Sequence, residues 1–256
     1  MAPLSLSLFA LPGIPLVEPG DDIAALIAEG IAHANEALRD GDVVVIAQKV
    51  VSKSENRFFV LDEVTPSEKA LGLARETDKD ARLVELILSE SDRVLRYRQG
   101  VLIVVHRLGF VLANAGIDRS NVGPEKEGER VLLLPEDPNA SCERIRQGLH
   151  DLGGATVAVV MNDSLGRAWR NGTTGVALGS SGLPALMDIR GREDLFGRPL
   201  EVTQIGLADE IASAASLLQG QADEGTPFVV VRGMTFSGSP TDAGALIRDS
   251  QEDLFR

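Results

Sequence analysis

Cysteine occurs once in the 256 residues, as Cys142, so an intrachain disulfide and a cysteine-rich zinc site are both excluded. Histidine occurs three times, at His33, His106 and His150, and no H-E-x-x-H pair is present to hold zinc. His106 closes an apolar run just before a turn and reads as structural. There is no G-x-x-x-x-G-K-[ST] phosphate loop, no G-x-G-x-x-G after a strand, and no G-x-S-x-G nucleophile elbow. No Lys/Arg run or basic stripe stands out, so nothing points to a nucleic-acid partner. No apolar stretch approaches the roughly 18 residues that a membrane span needs. The opening "MAPLSLSLFALPGIP" lacks a basic n-region and is broken by Pro3 and Pro12, so no signal peptide is expected. The sequons "NAS", "NDS" and "NGT" then carry little weight, and a cytoplasmic protein is expected.

What is present is a 44% hydrophobic chain with a net charge of −13, enough for a sizeable core. An acidic protein that handles anions must do so with a few placed cations, backbone N–H groups or metals. "VVVIA" (43–47), "TVAVVM" (156–161) and "PFVVVRG" (227–233) are continuous apolar runs of buried-strand type. Shorter strands are expected over 4–11, in "FFVL" and in "VLLL", and "RLG" between "VLIVVH" and "FVLAN" reads as a hairpin turn. Helices are expected from Asp21 or Asp22 to about Leu38, from Thr65-Pro66, and over about 80–97. Two more are expected, in "DPNASCERIRQGLHDLGG" and in "DEIASAASLLQG", with a last one near "GALIRDSQEDLF". "KVVSKSENR" (49–57) reads as a basic loop, 118–130 as a polar loop, and 163–199 as a long loop region with short strands. Strands and helices mix without strict βαβ alternation, which predicts an α+β fold with mixed sheets. No repeat or linker divides residues 1–256, so one unit is expected, with room for two subdomains.

The chemistry on offer is that of oxygen ligands. Asp118 follows a strand and a glycine; Asp163 follows a buried strand and has Ser164 beside it. Carboxylates at strand ends with a neighbouring hydroxyl suit hard cations such as Mg²⁺ or Mn²⁺. The same residues also serve as ordinary turn formers. "GRAWRNGTTG" (166–175) offers Arg167 and Arg170 as forks for carboxylate or phosphate. Lys49, Lys53 and Ser54 form a phosphate-facing candidate set, although surface lysines are mostly just solvated.

Six segments then fall in one order: "LPGIP", "GDVVVIAQKVVSKSE", "ANAGIDRSNVG", "NDSLGRAWRNGTTGVALG", "LADEIASAASLLQG" and "PFVVVRG". Together they resemble the coenzyme F-420:L-glutamate ligase family, from Leu11 to about Gly233. The resemblance implies a GTP-dependent ligase that joins L-glutamate to the carboxylate of F-420-0 and adds a further glutamate through a gamma linkage. It implies a fold of the family's own, an intertwined homodimer, two divalent cations (Mg²⁺ or Mn²⁺) and accessory K⁺. On this resemblance Asp118, Asp163, Ser164 and Gln221 fall on metal positions. Leu11, Pro12, Gly13, Ile14, Gln48, Lys53 and Asn121 fall on nucleotide positions. So does the run Gln219, Gly220, Gln221, Ala222, Asp223, Glu224, Gly225 and Thr226. Ser164 stands where threonine is commoner, and Gln48 where a small hydroxyl residue is. Lys53 is expected to stabilise charge in phosphoryl transfer, and Arg167 and Arg170 to hold substrate carboxylates. No C-terminal nitroreductase-like domain is expected. A ligase of the same mechanism with another carboxylate acceptor, and a non-catalytic nucleotide-binding module, are the alternatives.

Overall fold

The computed structural model describes residues 5–122 and 129–254. In chain order the strands and helices begin with β1 (Ser7–Ala10), α1 (Ile23–His33), β2 (Val43–Ala47), α2 (Gln48–Ser54) and β3 (Phe58–Val60). Next come α3 (Glu68–Thr77), α4 (Ala81–Ser89), β4 (Ser91–Arg98), β5 (Val101–His106), β6 (Val111–Ala113) and β7 (Arg130–Leu132). The chain continues with α5 (Pro138–Gly153), β8 (Ala158–Arg167), β9 (Arg170–Ser181), β10 (Met187–Asp188), β11 (Gln204–Ile205), α6 (Leu207–Gln219) and β12 (Phe228–Arg232). Among the described residues, no helix is long and apolar enough to cross a membrane.

The main sheet has the order β1-β12-β2-β8-β9. Only β2 and β8 run parallel; the other neighbours are antiparallel. Both faces are covered. Ile27 of α1 and Cys142, Ile145 and Leu149 of α5 pack on Val44, Ile46, Val159 and Met161. Ala208, Ile211 and Ala212 of α6 pack on Val43, Val45, Val160 and Val229 from the other side. Burial on both faces is why these strands read as unbroken apolar runs rather than alternating ones. Each of Val43 to Ile46 has no exposed surface, a burial worth about 1.5–3 kcal/mol per side chain.

A second core lies between β2 and β8 in sequence. There α3 and α4 pack Ala70, Leu83, Val84 and Ile87 against Leu102 and Val104 of β5 and Val131 of β7. Strands β4, β5 and β6 form a three-stranded sheet, and β3 pairs with β7. Mixed and antiparallel sheets segregated from one another, with helices against each, make the fold α+β, as expected.

Several local expectations are corrected. Residues 49–57 are not a basic loop: α2 begins directly at the end of β2, with Ala47 as its cap. The helix expected over 80–97 stops at Ser89, and Ser91–Arg98 is a strand. Asp80 caps α4 through the Arg82 N–H, and four of its nine residues are buried. Beyond Ser89 the apolar residues Val94 and Leu95 are adjacent rather than helically spaced, and β5 satisfies the backbone. The region 163–199 opens not as a loop but as a long hairpin, β8–β9. The first helix ends at His33, well before Leu38. The helix at "TPSEKALG" is capped by Ser67, not Thr65. Among the described residues near the C-terminus the only helical element is a short 3₁₀ turn, Ala243–Leu246. Residue 4 of the first expected strand and residues 123–128 of the polar loop lie outside the described residues.

His106 is fully buried. Its Nδ1 accepts the Leu108 N–H (3.0 Å), and its Nε2 faces Glu90 Oε2 at 3.5 Å. Glu90 also receives Arg57 and Arg107, each at 3.2 Å. The histidine is structural, as its position before the turn suggested.

Candidate functional site

The sheet gathers the expected residues at one end. β2 and β8 finish side by side, with Ala47 opposite Asn162 on the last rung. Strand β12 runs the other way, so its start and the loop before it lie at the same end; the Ala47 N–H donates to Pro227 O (2.9 Å). β1 is antiparallel to β12, which brings its exit to that edge as well, and the Leu11 N–H donates to Phe228 O (2.9 Å). Four sequence-distant segments, 11–14, 47–53, 162–164 and 219–226, thus share one rim. The carboxyl ends of adjacent parallel strands are where open sheets of this kind present ligand crevices.

Asp163 follows a bulge. Between Met161 and Asn162 the register against β9 shifts by one, leaving Leu178 as the extra residue. Bulges redirect the side chains beside them. Burial pushes the Asp163 carboxyl up to about 6, and the Asp118 charge adds to the rise; the Ser164 N–H and Lys49 oppose it. The Ser164 N–H donates to Asp163 Oδ1 at 2.7 Å.

Asp118 arrives from the second core, in a bridge to Leu132. The Gln48 Nε2 amide donates to its Oδ2 (2.7 Å), and Lys49 Nζ lies 3.3 Å from its Oδ1. Burial raises the Asp118 carboxyl, against the pull of Lys49, Gln48 and Lys53. Lys53 is held below the ordinary lysine range, first by desolvation and next by the neighbouring Lys49 charge, with Asp118 acting the other way. Two aspartates and two lysines therefore interact in one place.

The loop 219–226 is tied down on two sides. Asn162 Nδ2 donates to Gln219 Oε1 (2.7 Å) and to Ala212 O (3.2 Å), and Gln219 Nε2 donates to Pro227 O (3.1 Å). Asn121 Nδ2 donates to Ala222 O (3.1 Å). The Thr226 hydroxyl donates to Leu218 O, and Glu224 accepts the Ala222 N–H. Gln221, Ala222, Asp223, Glu224 and Gly225 stay exposed. Gly13 has φ +71, and a Cβ there would lie 3.1 Å from the His33 ring, so the 11–14 turn needs glycine. Pro12 and Gly13 are exposed, Ile14 is half-buried, and Leu11 is buried.

Gln48 stands apart from the other nucleotide candidates. It is buried, with its amide N–H on Asp118 and its Oε1 accepting the Ser52 hydroxyl (2.9 Å). Arg167 and Arg170 face each other across the exposed β8–β9 hairpin tip. Arg167 lies four residue steps beyond Asp163, about 13 Å along the strand. Ser52 and Asn162 are supports that motif reasoning did not single out, and Lys49, expected to face phosphate, instead pairs with Asp118. The Gln48/Ser52 and Lys49/Lys53 spacings of four are the signal, legible once α2 is read as a helix.

The donor set suits a hard cation in one respect: two buried carboxylates, the charge of Asp118 raising Asp163, with a hydroxyl residue adjacent. Among the described residues no group of three or more His, Cys, Asp or Glu side chains converges. A cation here would be held by few carboxylates and would complete its shell with water or substrate oxygens, as Mg²⁺ commonly does.

Residues 13–233 match the family model described as F420-0:Gamma-glutamyl ligase. The chain is 44% identical over 255 residues to the coenzyme F420:L-glutamate ligase of Methanothermobacter thermautotrophicus, covering 99% of this chain and 100% of that protein. It is 46% identical over 245 residues to the protein of the same name from Methanopyrus kandleri, covering 94% and 93%. For the one from Archaeoglobus fulgidus the identity is 41% over 253 residues, covering 99% and 97%.

Proposed function

Because the chain belongs to the F420-0:gamma-glutamyl ligase family, we propose that it is the ligase that joins L-glutamate to the carboxylate of coenzyme F420-0, with GTP as co-substrate, and extends the product by gamma-linked glutamate. The observation that carries this reading is the meeting of Asp118 and Asp163 with Lys49 and Lys53 beneath the tethered loop 219–226.

A carboxylate is a poor acyl donor, because its leaving group would be oxide. Transfer of the GTP γ-phosphoryl group to it gives an acyl phosphate, and the amine of glutamate then displaces phosphate. Each cycle forms one amide and releases GDP and inorganic phosphate. Lys53, partly desolvated on α2, is placed to offset charge on the transferring group. The backbone of 11–14 and the loop 219–226 frame the nucleotide from two sides, and Asn121 and Gln219 hold that loop in place. Gln48 fixes the orientation of Asp118 rather than meeting the nucleotide with its side chain. Arg167 and Arg170, at the hairpin tip, are the cations for carboxylates of glutamate or of the precursor. Asp118, Asp163, Ser164 and Gln221 would hold the divalent cations, Mg²⁺ or Mn²⁺, whose contribution is to neutralise phosphate charge, with K⁺ as accessory.

A homodimer is part of this reading. Trp169 at the β8–β9 tip is 88% exposed, and Leu195 and Phe196 in the connection between β10 and β11 are 98% and 87% exposed. Large apolar side chains exposed at these two places are surface that a second copy would cover.

The test is direct. Purified protein with GTP, Mn²⁺, L-glutamate and F420-0 yields, by mass spectrometry, products heavier by one and then more glutamyl units, with matching GDP release. Asp118→Asn lowers that release by about 10³-fold, the scale seen when a group that stabilises transition-state charge is lost. GDP release near the wild-type rate in Asp118→Asn overturns the site assignment, and products lacking glutamate overturn the activity.

A further inference from the structure

We propose that Lys49 is a built-in counter-ion that holds the place of a divalent cation between Asp118 and Asp163, and moves to the phosphates when that cation binds. The inference rests on the preceding reading that the two aspartates hold a cation.

The oxygens of Asp118 are held unequally. Oδ2 is bonded by Gln48, a neutral group 2% exposed, which is itself locked by Ser52, 0% exposed. Oδ1 is met by Lys49, whose flexible side chain keeps a quarter of its surface in solvent. The ammonium also donates to Ser120 O at 3.1 Å, so it is anchored by one ion pair and one carbonyl. An incoming cation can therefore displace Lys49 without disturbing the Gln48–Asp118 bond that sets the carboxylate's orientation.

Charge bookkeeping favours exchange over coexistence. Lys49 acts on Asp163 as well as on Asp118, so its charge is shared by both carboxylates. The two aspartates with Lys49 sum to −1; with a divalent ion in its place they sum to 0. A dication beside the retained ammonium would add repulsion at close range. The released side chain has somewhere to go. Lys49 lies one helical turn before Lys53 on α2, so both can face the same anion. Metal loading would in this way convert one lysine facing phosphate into two.

The consequence is unusual for removal of a cation from a phosphate site: metal binding should tighten. Free Mn²⁺ is titrated by electron paramagnetic resonance against metal-free wild type, Lys49→Met, Lys49→Gln and Lys49→Arg, all without nucleotide. Lys49→Met and Lys49→Gln are expected to bind Mn²⁺ about fivefold more tightly, the effect of removing a competing partly exposed ion pair. Lys49→Arg, which keeps the charge, is expected to stay close to wild type. In the presence of Mn²⁺, GDP binding to Lys49→Met is expected to weaken several-fold. Mn²⁺ affinity that is unchanged or weaker in Lys49→Met and Lys49→Gln, with a wild-type site present, overturns this inference alone. A Mn²⁺ site in Lys49→Met where wild type shows none supports it in its strongest form. No Mn²⁺ binding by any of the four proteins overturns both this inference and the metal assignment.

Discussion

Ala47 and Asn162 stand opposite each other on the last rung of the single parallel pair in the main sheet. One residue beyond each, the chain delivers Gln48 and Asp163. The short distance between these two strand ends is what lets a buried amide, two aspartates and two lysines act on one volume, although Gln48 and Asp163 are far apart in sequence.

The first prediction concerns Gln48. Gln48→Leu keeps the volume but removes the donor on Asp118 Oδ2 and leaves the Ser52 hydroxyl unpartnered. Each lost partner costs about 1–3 kcal/mol. Turnover is expected to fall by about tenfold or more while circular dichroism stays native. Turnover equal to wild type would show that Asp118 needs no support from α2.

The second concerns Asn162. Replacing it by Leu strips Gln219 Oε1 and Ala212 O of their shared donor, the first half-buried and the second buried. Unfolding free energy is expected to drop by about 1–3 kcal/mol. Calorimetric affinity for GDP is expected to weaken by at least fivefold, because the loop at 219–226 loses its tether to β8. A stability loss with unaltered GDP affinity would mean that the loop is positioned by its other tethers, from Asn121, Thr226 and Gln219 to Pro227.

A third prediction tests packing. A Cβ on Gly175 would lie 2.3 Å from Ala212 O, so β9 approaches α6 more closely than any larger residue permits. Gly175→Ala is expected to cost about 1–3 kcal/mol by forcing the helix off the sheet. The check is denaturant unfolding; a change below about 0.5 kcal/mol would show that α6 can retreat freely.

The fourth is a pH dependence. Burial would by itself raise the Glu90 carboxyl, but His106, Arg107 and Arg57 outweigh it and hold the group below its ordinary value. The unfolded chain then binds a proton at higher pH than the folded one. The stabilisation is complete above the unfolded value, about 4.3, and is lost as pH falls through the lower folded value. Glu90→Gln should therefore flatten the acid limb of the stability curve below about pH 4.5. An acid limb as steep as in wild type would place the titrating group elsewhere.

Much of this architecture is legible from sequence, for reasons that particular residues show. "VVVIA" and "FVVV" announce buried strands because both faces of the sheet are covered. Asp137-Pro138 and the Gly154 exit frame α5 because caps are local. Helix α2 was hidden because it has no capping side chain and no loop before it, so its lysines looked like a basic connector. The β4 strand was hidden behind a helical pattern that ends at Ser89, since pairing with β5 is a long-range fact no local window contains. For the site, the Asp118–Asp163 pairing was suggested by two similar strand exits. The roles of Gln48, Lys49 and Asn162 depend on side chains meeting across 70, 69 and 57 positions respectively, which spacing rules do not reach.

Asp118 comes from the segment inserted between β2 and β8, whose apolar interior is separate from those that sandwich the main sheet. Neither part alone holds the candidate site. A lesion that let the two slide apart by a few ångströms would leave every greasy interior intact and still silence the protein, so well-folded yet inert variants should map to the seam rather than to the cores.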